Sequence, residues 1–261
     1  MIRLLAGLIL MLSLAPLQAA VQGADVTYTA GGTVLKGYLA YDDAVQGKRP
    51  GVIVIHEWWG HDEYARDRAR ALAKLGYTAF AVDMYGNGKT VDHPDQAGAA
   101  MNELLGDAKT LRARFDAALD VLKKHKTTDA RRIAAIGYSM GGRIVLQMAR
   151  DGVDLAGVVG FYGSLDTSSP AKPGKVKAKV LVLNGADDPL VPPAAVDAFK
   201  KEMNAAKADY TFVNYPGAKH CFTNPSSDAL AAKFKLPFAY DAGADQKSWA
   251  EMQTFLKRIF R

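Results

Sequence analysis

The sequence predicts a single domain of α/β class, in which helices flank a mostly parallel β-sheet. Short apolar, β-branched runs alternate along the chain with longer segments of helical periodicity, the pattern of parallel strands joined by crossover helices. The chain has 261 residues, 49% of them hydrophobic and 23% charged, which is enough to bury one large core. No internal repeat or interdomain linker divides it.

Residues 1–20 have the composition of a secretory signal peptide. Arg3 gives a basic start, an apolar run follows over residues 4–15, and Ala19 and Ala20 offer small residues for cleavage. The run is too short to span a bilayer comfortably, and no stop-transfer segment follows, which disfavours the alternative of a membrane-anchored helix. We therefore expect cleavage after Ala19 or Ala20, a folded domain over residues 21–261 that is periplasmic or secreted, and no stable membrane insertion.

The strands follow from two kinds of pattern. Residues 26–28 and 34–41 alternate apolar and polar side chains around Gly31 and Gly32, which predicts an antiparallel hairpin at the sheet edge. Continuous apolar runs predict strands that are covered on both faces. In chain order these runs are residues 51–55, 78–82, 133–136, 155–161, 178–183 and 210–215, of which the last alternates with polar residues.

The helices are predicted from apolar residues that recur at three- and four-residue spacing, with stop signals at their ends. Gly76 ends the first of them, and Gly106 is a possible break in the long one. In chain order the helices cover residues 62–75, 94–126, the segment after the turn at 137–141 as far as about residue 150, 193–203 and 246–260.

Ser139 is the candidate nucleophile. It is the centre of Gly137-Tyr138-Ser139-Met140-Gly141, a G-x-S-x-G motif between a predicted buried strand and a predicted helix. Such a turn holds the serine hydroxyl at the carboxyl edge of the sheet, and the glycines let the two backbones pass closely. A tight strand-to-helix turn with an incidental serine is the alternative interpretation.

A serine hydroxyl needs a base and a third group that orients the base, and both have candidates after later strands. Asp187 and Asp188 follow the strand at 178–183, and His220, the only histidine after Ser139, follows the last strand. We favour Asp188, which occupies a G-x-x-D-x-x-V-P arrangement, although an acid pair before proline is also common turn chemistry. Cys221 lies in no strand-to-helix turn and is interpreted as a packing residue.

The oxyanion that forms during acyl transfer needs two backbone N–H donors. Met140, directly after the nucleophile, is expected to supply one. The loop that follows the strand at 51–55 is expected to supply the other through Trp58.

Other functional classes receive little support. The net charge of +6 is mild and scattered, so we expect no nucleic-acid partner. A single cysteine permits no intrachain disulfide. His56, Glu57 and His61 share one loop but lack the H-E-x-x-H spacing, so we predict no metal and no cofactor.

Five segments taken together resemble the dienelactone hydrolase family. They are residues 56–60 (HEWWG), 83–85 (DMY), 137–142 (GYSMGG), 185–192 (GADDPLVP) and 215–222 (YPGAKHCF). The resemblance implies an α/β-hydrolase fold with no large lid domain and no metal. It also implies a triad of Ser139, Asp188 and His220 that acts on lactone or ester carbonyls, with Glu57 as the acid beside the nucleophile.

Two departures from the family pattern affect the expected chemistry. The family nucleophile is cysteine, so the role of Glu57 beside a serine is open: it could pair with Arg143, orient a water or form a buried structural ion pair. Asn87 and Asn224 stand where dienelactone-specific members are expected to hold the substrate carboxylate with arginine, and asparagine offers no charged bidentate fork. Dienelactone itself is therefore a doubtful substrate.

The predicted pocket and function follow from this resemblance. The side chains expected to line the substrate pocket are Trp58, Trp59, Tyr85, Asn87, Tyr138, Phe222 and Asn224, although aromatic residues near a sheet edge are more often part of the core. We expect an exported serine hydrolase with a small-molecule ester or lactone substrate and an oligomeric state that the sequence leaves open. The alternatives are a true lactone specialist and a catalytically idle ligand-binding protein.

Overall fold

The structure is a computed structural model that describes residues 21–261, so the predicted signal peptide at residues 1–20 lies outside the described residues. Eight strands form one sheet in the order β1-β2-β4-β3-β5-β6-β7-β8. The strands are β1 Val21–Ala30, β2 Thr33–Asp42, β3 Arg49–Ile55, β4 Thr78–Val82, β5 Thr128–Tyr138, β6 Gly157–Phe161, β7 Lys179–Gly185 and β8 Tyr210–Tyr215.

The sheet is parallel from β4 to β8, and an antiparallel hairpin extends one edge. β1 pairs with β2, and β2 pairs with β4, both antiparallel. The other neighbours pair in parallel, as strands joined by crossover helices do. The predicted α/β class, with helices around a mostly parallel sheet, is confirmed.

Helices cover both faces of the sheet. Within residues 21–261 they are α1 Glu63–Lys74, α2 Pro94–Gly106, α3 Ala108–Lys124, α4 Met140–Arg150, α5 Pro193–Ala205, α6 Ser227–Phe234 and α7 Ala242–Ile259. No inserted lid domain is present in this described part of the chain, and none of its helices is both long and apolar enough to cross a bilayer.

The two faces of the sheet form two separate cores. Successive residues of β3 alternate between them: Val52 and Val54 pack with α1 and α7, whereas Ile53 and Ile55 pack with α3, α4 and α5. This alternation follows from the two-residue period of a strand, and it explains why β3 is apolar at consecutive positions.

The element boundaries differ from the sequence-based ones in ways that local chemistry explains. The long helical segment is divided at Asp107, which ends α2 and whose carboxylate accepts a hydrogen bond from the Thr110 amide at the start of α3. β5 begins at Thr128, before the apolar run, because its early residues pair with Arg49 and Pro50 of β3. Helix α6 was not predicted: it has eight residues, of which only Ser227 is fully buried, and its apolar residues Leu230, Ala231 and Phe234 pack half-buried against the core.

Candidate active site

Ser139 occupies a sharp turn between β5 and α4. Its backbone has φ 51° and ψ −113°, a left-handed conformation that non-glycine residues adopt rarely and that is typical of strained functional turns. The crossing of strand and helix requires glycine: a Cβ on Gly137 would lie 2.1 Å from the carbonyl oxygen of Gly141. The Ser139 amide donates to the Phe161 carbonyl at 3.0 Å, which ties the turn to β6.

Ser139, His220 and Asp188 form one hydrogen-bonded chain. The distance from Ser139 Oγ to His220 Nε2 is 2.8 Å, and the distance from His220 Nδ1 to Asp188 Oδ2 is 2.7 Å. His220 and Asp188 are both buried, at 4% and 3% exposure. The three residues follow β5, β7 and β8, whose carboxyl ends meet at one edge of the sheet.

The geometry distinguishes the two adjacent aspartates. Asp188 is buried, and its second oxygen, Oδ1, accepts from the Leu190 amide at 2.8 Å. Asp187 is exposed, and its amide donates to the Ala218 carbonyl. Asp188 is therefore the acid that the fold directs at His220, whereas Asp187 belongs to the turn.

The chain of hydrogen bonds defines which nitrogen of His220 carries a proton. A carboxylate can only accept, so Nδ1 donates to Asp188 and the Nε2 lone pair faces Ser139. This is the tautomer in which an imidazole can remove a proton from a serine hydroxyl.

Both residues expected to donate to the oxyanion line the cavity that contains Ser139. Met140 is the first residue of α4, so its N–H has no acceptor within the helix and lies at the positive end of the helix dipole. Trp58 lies on the loop after β3, and its side chain lines the same cavity as Ser139 and Met140.

A mostly apolar cavity of about 380 Å³ opens onto Ser139 and His220. Its lining consists of Trp58, Met101, Leu105, Ser139, Met140, Arg143, Ser164, Leu190, His220, Leu236, Pro237 and Phe238. Arg143 is the one charged side chain in this set apart from the titratable His220, and it pairs with Asp166 at 3.2 Å. A volume of this size suits a small organic ligand.

The sequence model of the dienelactone hydrolase family matches residues 35–260. The chain belongs to the dienelactone hydrolase family. The predicted resemblance is thus confirmed, and with it the assignment as a hydrolase. The non-catalytic alternative loses its support.

Relatives and solved structures agree with this membership. A solved chain named m3DLH is 38% identical, with a TM-score of 0.86, and the alignment covers 93% of this chain and 100% of that one. A dienelactone hydrolase-like promiscuous phosphotriesterase from metagenomic libraries is 34% identical, with a TM-score of 0.85 and the same coverage. A putative carboxymethylenebutenolidase of Methylorubrum extorquens is 34% identical over 223 residues, which are 81% of this chain and 73% of that protein.

The side chains around the cavity of this dienelactone hydrolase family member differ from the predicted pocket set. Trp59, Tyr138 and Phe222 belong to the core on the α1 and α7 face, and Asn87 is exposed on a turn at φ 57°. Tyr85 and Asn224 are buried and hydrogen-bonded to other groups, so Trp58 is the one member of the predicted set that lines the cavity.

The residues that do line the cavity come from segments that sequence reasoning did not associate with a site. Met101 and Leu105 lie four apart on α2, and residues 236–238 form an apolar stretch between α6 and α7. The sequence offered one signal, namely an apolar stretch that lies outside any predicted helix or strand. In the structure, the Phe238 ring centroid lies 5.3 Å from that of His220. Phe238 also pairs with His220 in an isolated β-bridge.

Glu57 is buried, and its carboxylate is held by two neutral donors. The Tyr162 hydroxyl donates to Oε1 at 3.1 Å, and Asn224 Nδ2 donates to Oε2 at 2.7 Å. Arg143 instead pairs with Asp166, so the suggested pairing with Glu57 is wrong. Asn224 thus orients a carboxylate of the protein itself, rather than one of a substrate.

The carboxylate of Glu57 influences its neighbours. Burial, and then the charge of Glu57, raise the pKa of the Cys221 thiol well above its usual value, which keeps this side chain protonated as a packing residue. Burial and Glu57 also raise the pKa of Asp62 to about 7. His61, in contrast, has its pKa lowered to about 4, mainly by burial.

The histidines of the first loop do not form a metal site. Across residues 21–261, no cluster of three histidine, cysteine or acidic side chains is arranged to hold a metal ion. His56 instead bonds to two backbone groups, Glu57 O and Met84 N.

Proposed function

We propose that the protein is an exported serine hydrolase that cleaves small carboxylic esters or lactones. The observation that carries the proposal is the hydrogen-bonded chain Ser139–His220–Asp188 at the floor of an apolar cavity. Family membership supports the reaction class, and the relative in Methylorubrum extorquens is named a putative carboxymethylenebutenolidase, which is a lactone-opening activity.

In the proposed mechanism, Ser139 Oγ bonds to the substrate carbonyl carbon while its proton passes to His220 Nε2. The carbonyl electron pair moves to the oxygen, which accepts hydrogen bonds from the amides of Met140 and Trp58. When the carbonyl reforms, the bond to the leaving alkoxide breaks and the alkoxide takes the proton from His220. Asp188 stabilises the imidazolium throughout.

Deacylation repeats these steps with water. A water molecule gives one proton to His220 as its oxygen bonds to the acyl carbon, and the bond to Ser139 then breaks as the proton returns to Oγ. The products are a carboxylic acid and the free enzyme.

The cavity favours uncharged substrates with a small apolar group. Its walls are mainly aliphatic and aromatic side chains, and Arg143 is already paired with Asp166. An acidic lactone would therefore have to compete with Asp166 for Arg143. A neutral ester or lactone instead gains about 25 cal/mol of binding free energy for each Å² of apolar surface that it buries. Comparing turnover of neutral lactones with open-chain esters of matched size separates the esterase from the lactone specialist.

Export is the second part of the proposal and depends on the pattern of residues 1–20. The mass of the protein recovered from the periplasm or medium tests it. A mature chain that begins near Val21 supports export, and a chain that retains Met1 in the cytoplasm contradicts it.

The decisive experiment is Ser139→Ala, assayed with p-nitrophenyl acetate. Removing the nucleophile of such a triad costs about 10⁶-fold in kcat, so turnover should fall to background while the melting temperature stays nearly constant. Ser168→Ala, at an exposed serine, is the matched control and should retain activity. A fluorophosphonate probe should label the wild type at Ser139. Retained esterase activity in Ser139→Ala would refute the assignment.

A further inference from the structure

The loop that carries Trp58 is held by side chains to which the mechanism above assigns no role. The peptide group between Glu57 and Trp58 contains both the Glu57 carbonyl and the Trp58 N–H. His56 Nδ1 lies 2.5 Å from that carbonyl oxygen, and the Gly60 amide donates to the same oxygen at 3.3 Å.

The imidazole of His56 is itself locked in one tautomer. The Met84 amide donates to Nε2 at 3.2 Å, so Nε2 must be an acceptor and Nδ1 carries the proton that it donates to the Glu57 carbonyl. His56 is fully buried, and burial lowers its pKa, which keeps the ring neutral.

Tyr85 holds the next carbonyl of the same loop. Its hydroxyl donates to the Trp58 carbonyl oxygen at 2.8 Å and lies 3.3 Å from Met140 Sδ, so one group contacts both residues to which the proposed mechanism assigns the oxyanion. The Tyr85 ring packs edge-on against His56 with a centroid distance of 5.0 Å.

The turn that carries Tyr85 is held by hydrogen bonds to one carboxylate. The carboxylate of Asp83 accepts from the amides of Tyr85 at 3.0 Å, Gly86 at 2.8 Å and Gly88 at 2.7 Å. These hydrogen bonds fix the backbone from which the Tyr85 side chain projects.

The planarity of the peptide group links these contacts to the chemistry. In a trans peptide, C=O and N–H point in opposite directions within one plane, so drawing the Glu57 oxygen towards His56 directs the Trp58 N–H the other way. Without such restraints the plane could rotate, and an oxyanion donor acts only at a distance of about 2.7–3.1 Å from the developing charge.

We propose that His56 and Tyr85 are positioning residues for the oxyanion hole: together they clamp the two carbonyls that flank Trp58 and aim its N–H at the reacting carbonyl oxygen. The inference rests on the proposed function, because it requires that Trp58 donates to the oxyanion. It predicts a loss of transition-state stabilisation that leaves substrate binding intact.

The test is Tyr85→Phe, which removes one oxygen and keeps the ring. A misplaced catalytic group of this kind costs up to about 10²-fold, so we expect kcat for p-nitrophenyl acetate to fall by about 10- to 100-fold with KM nearly unchanged. The affinity for a trifluoromethyl ketone, which forms an oxyanion when Ser139 adds to it, should fall by the same factor. Active sites are titrated with a fluorophosphonate, so that only folded enzyme is counted.

Two further comparisons separate positioning from general structure. Tyr77→Phe is the control, because Tyr77 lies at the amino end of β4, whereas the site lies at the carboxyl ends of the strands. It should leave kcat unchanged. His56→Leu removes both hydrogen bonds of the ring and should lower kcat, whereas His56→Gln, whose amide can both donate and accept, should restore part of it.

The outcomes separate this inference from the function on which it rests. Wild-type kcat in Tyr85→Phe, or a reduced kcat with unchanged affinity for the ketone, overturns the clamp while the Ser139→Ala result still supports the hydrolase. An active Ser139→Ala variant overturns the proposed function itself.

Discussion

Replacing Asp188 by asparagine should disable the enzyme through the tautomer of His220. The Leu190 amide donates to Asp188 Oδ1 at 2.8 Å, and in an asparagine side chain only the amide oxygen can accept such a hydrogen bond. The new side chain must therefore keep its oxygen towards Leu190 and turn its NH₂ towards His220. Nδ1 then has to accept, the ring proton moves to Nε2, and Nε2 can no longer take the proton of Ser139.

The expected magnitude is that of a triad histidine held in the wrong tautomer. The same substitution in a comparable triad leaves the geometry intact and lowers kcat by about 10⁴-fold, which corresponds to about 5 kcal/mol of transition-state stabilisation. The shape and volume of the side chain hardly change, so the melting temperature should fall far less than the activity.

The assay is the steady-state turnover of a p-nitrophenyl ester, measured together with thermal unfolding. Asp187→Asn is the matched control, since Asp187 is the adjacent, exposed aspartate of the same turn. It should retain wild-type turnover. An Asp188→Asn enzyme within tenfold of wild type, or a larger loss in Asp187→Asn, would refute this assignment of the acid.

Two further predictions concern stability. The pKa of Asp62 is raised to about 7 in the folded protein, mainly by burial, so the folded state binds the proton more tightly and stability decreases as pH rises from about 4 to 7. Asp62→Asn, which can still cap α1, should gain stability over wild type across that range in thermal melts. Asp107→Asn, at an exposed cap whose pKa is lowered from 3.8 chiefly by hydrogen bonds from Thr110, should differ from wild type in a pH-dependent way only below about pH 4, where wild-type stability falls as the carboxylate is protonated; a stability difference that grows between pH 4 and 7, as for Asp62→Asn, would contradict the argument. Gly137→Ala should destabilise by about 3 kcal/mol in urea unfolding, because the new Cβ would meet backbone at 2.1 Å. Gly98→Ala, inside α2 with no atom within 4 Å, should instead stabilise by about 0.5–1 kcal/mol, and equal effects of the two would show that close packing is not the cause.

The order of elements could be predicted because it depends on local patterns. β-branched runs, helical periodicity and the glycine turn around Ser139 are properties of neighbouring residues, and they recur in the observed β3, β4, β5 and α4. Parallel strands present their carboxyl ends at one edge, so an aspartate and a histidine after later strands were expected to meet Ser139. In the structure His220 lies between the other two residues, with its Nε2 2.8 Å from Ser139 Oγ and its Nδ1 2.7 Å from Asp188 Oδ2.

The substrate pocket could not be predicted in the same way. Its walls include residues of α2 and residues 236–238. These two segments are far apart in the sequence and come together beside Ser139 only when the helices pack on the sheet. Aromatic residues near the motifs, such as Trp59 and Tyr138, were expected there and instead fill the core on the other face. Side-chain direction in a turn depends on backbone dihedrals that the sequence pattern does not express.

The sequence by itself determined the fold class, the family and the chain positions of a serine, an acid and a histidine, because each depends on short-range pattern and order. Only the tertiary structure decided between Asp187 and Asp188, gave Glu57 its partners Tyr162 and Asn224, and placed Tyr85 against the Trp58 carbonyl. Glu57 lies 105 and 167 residues from those two partners. Contacts at such separations are selected by how whole elements pack, and no local propensity specifies them.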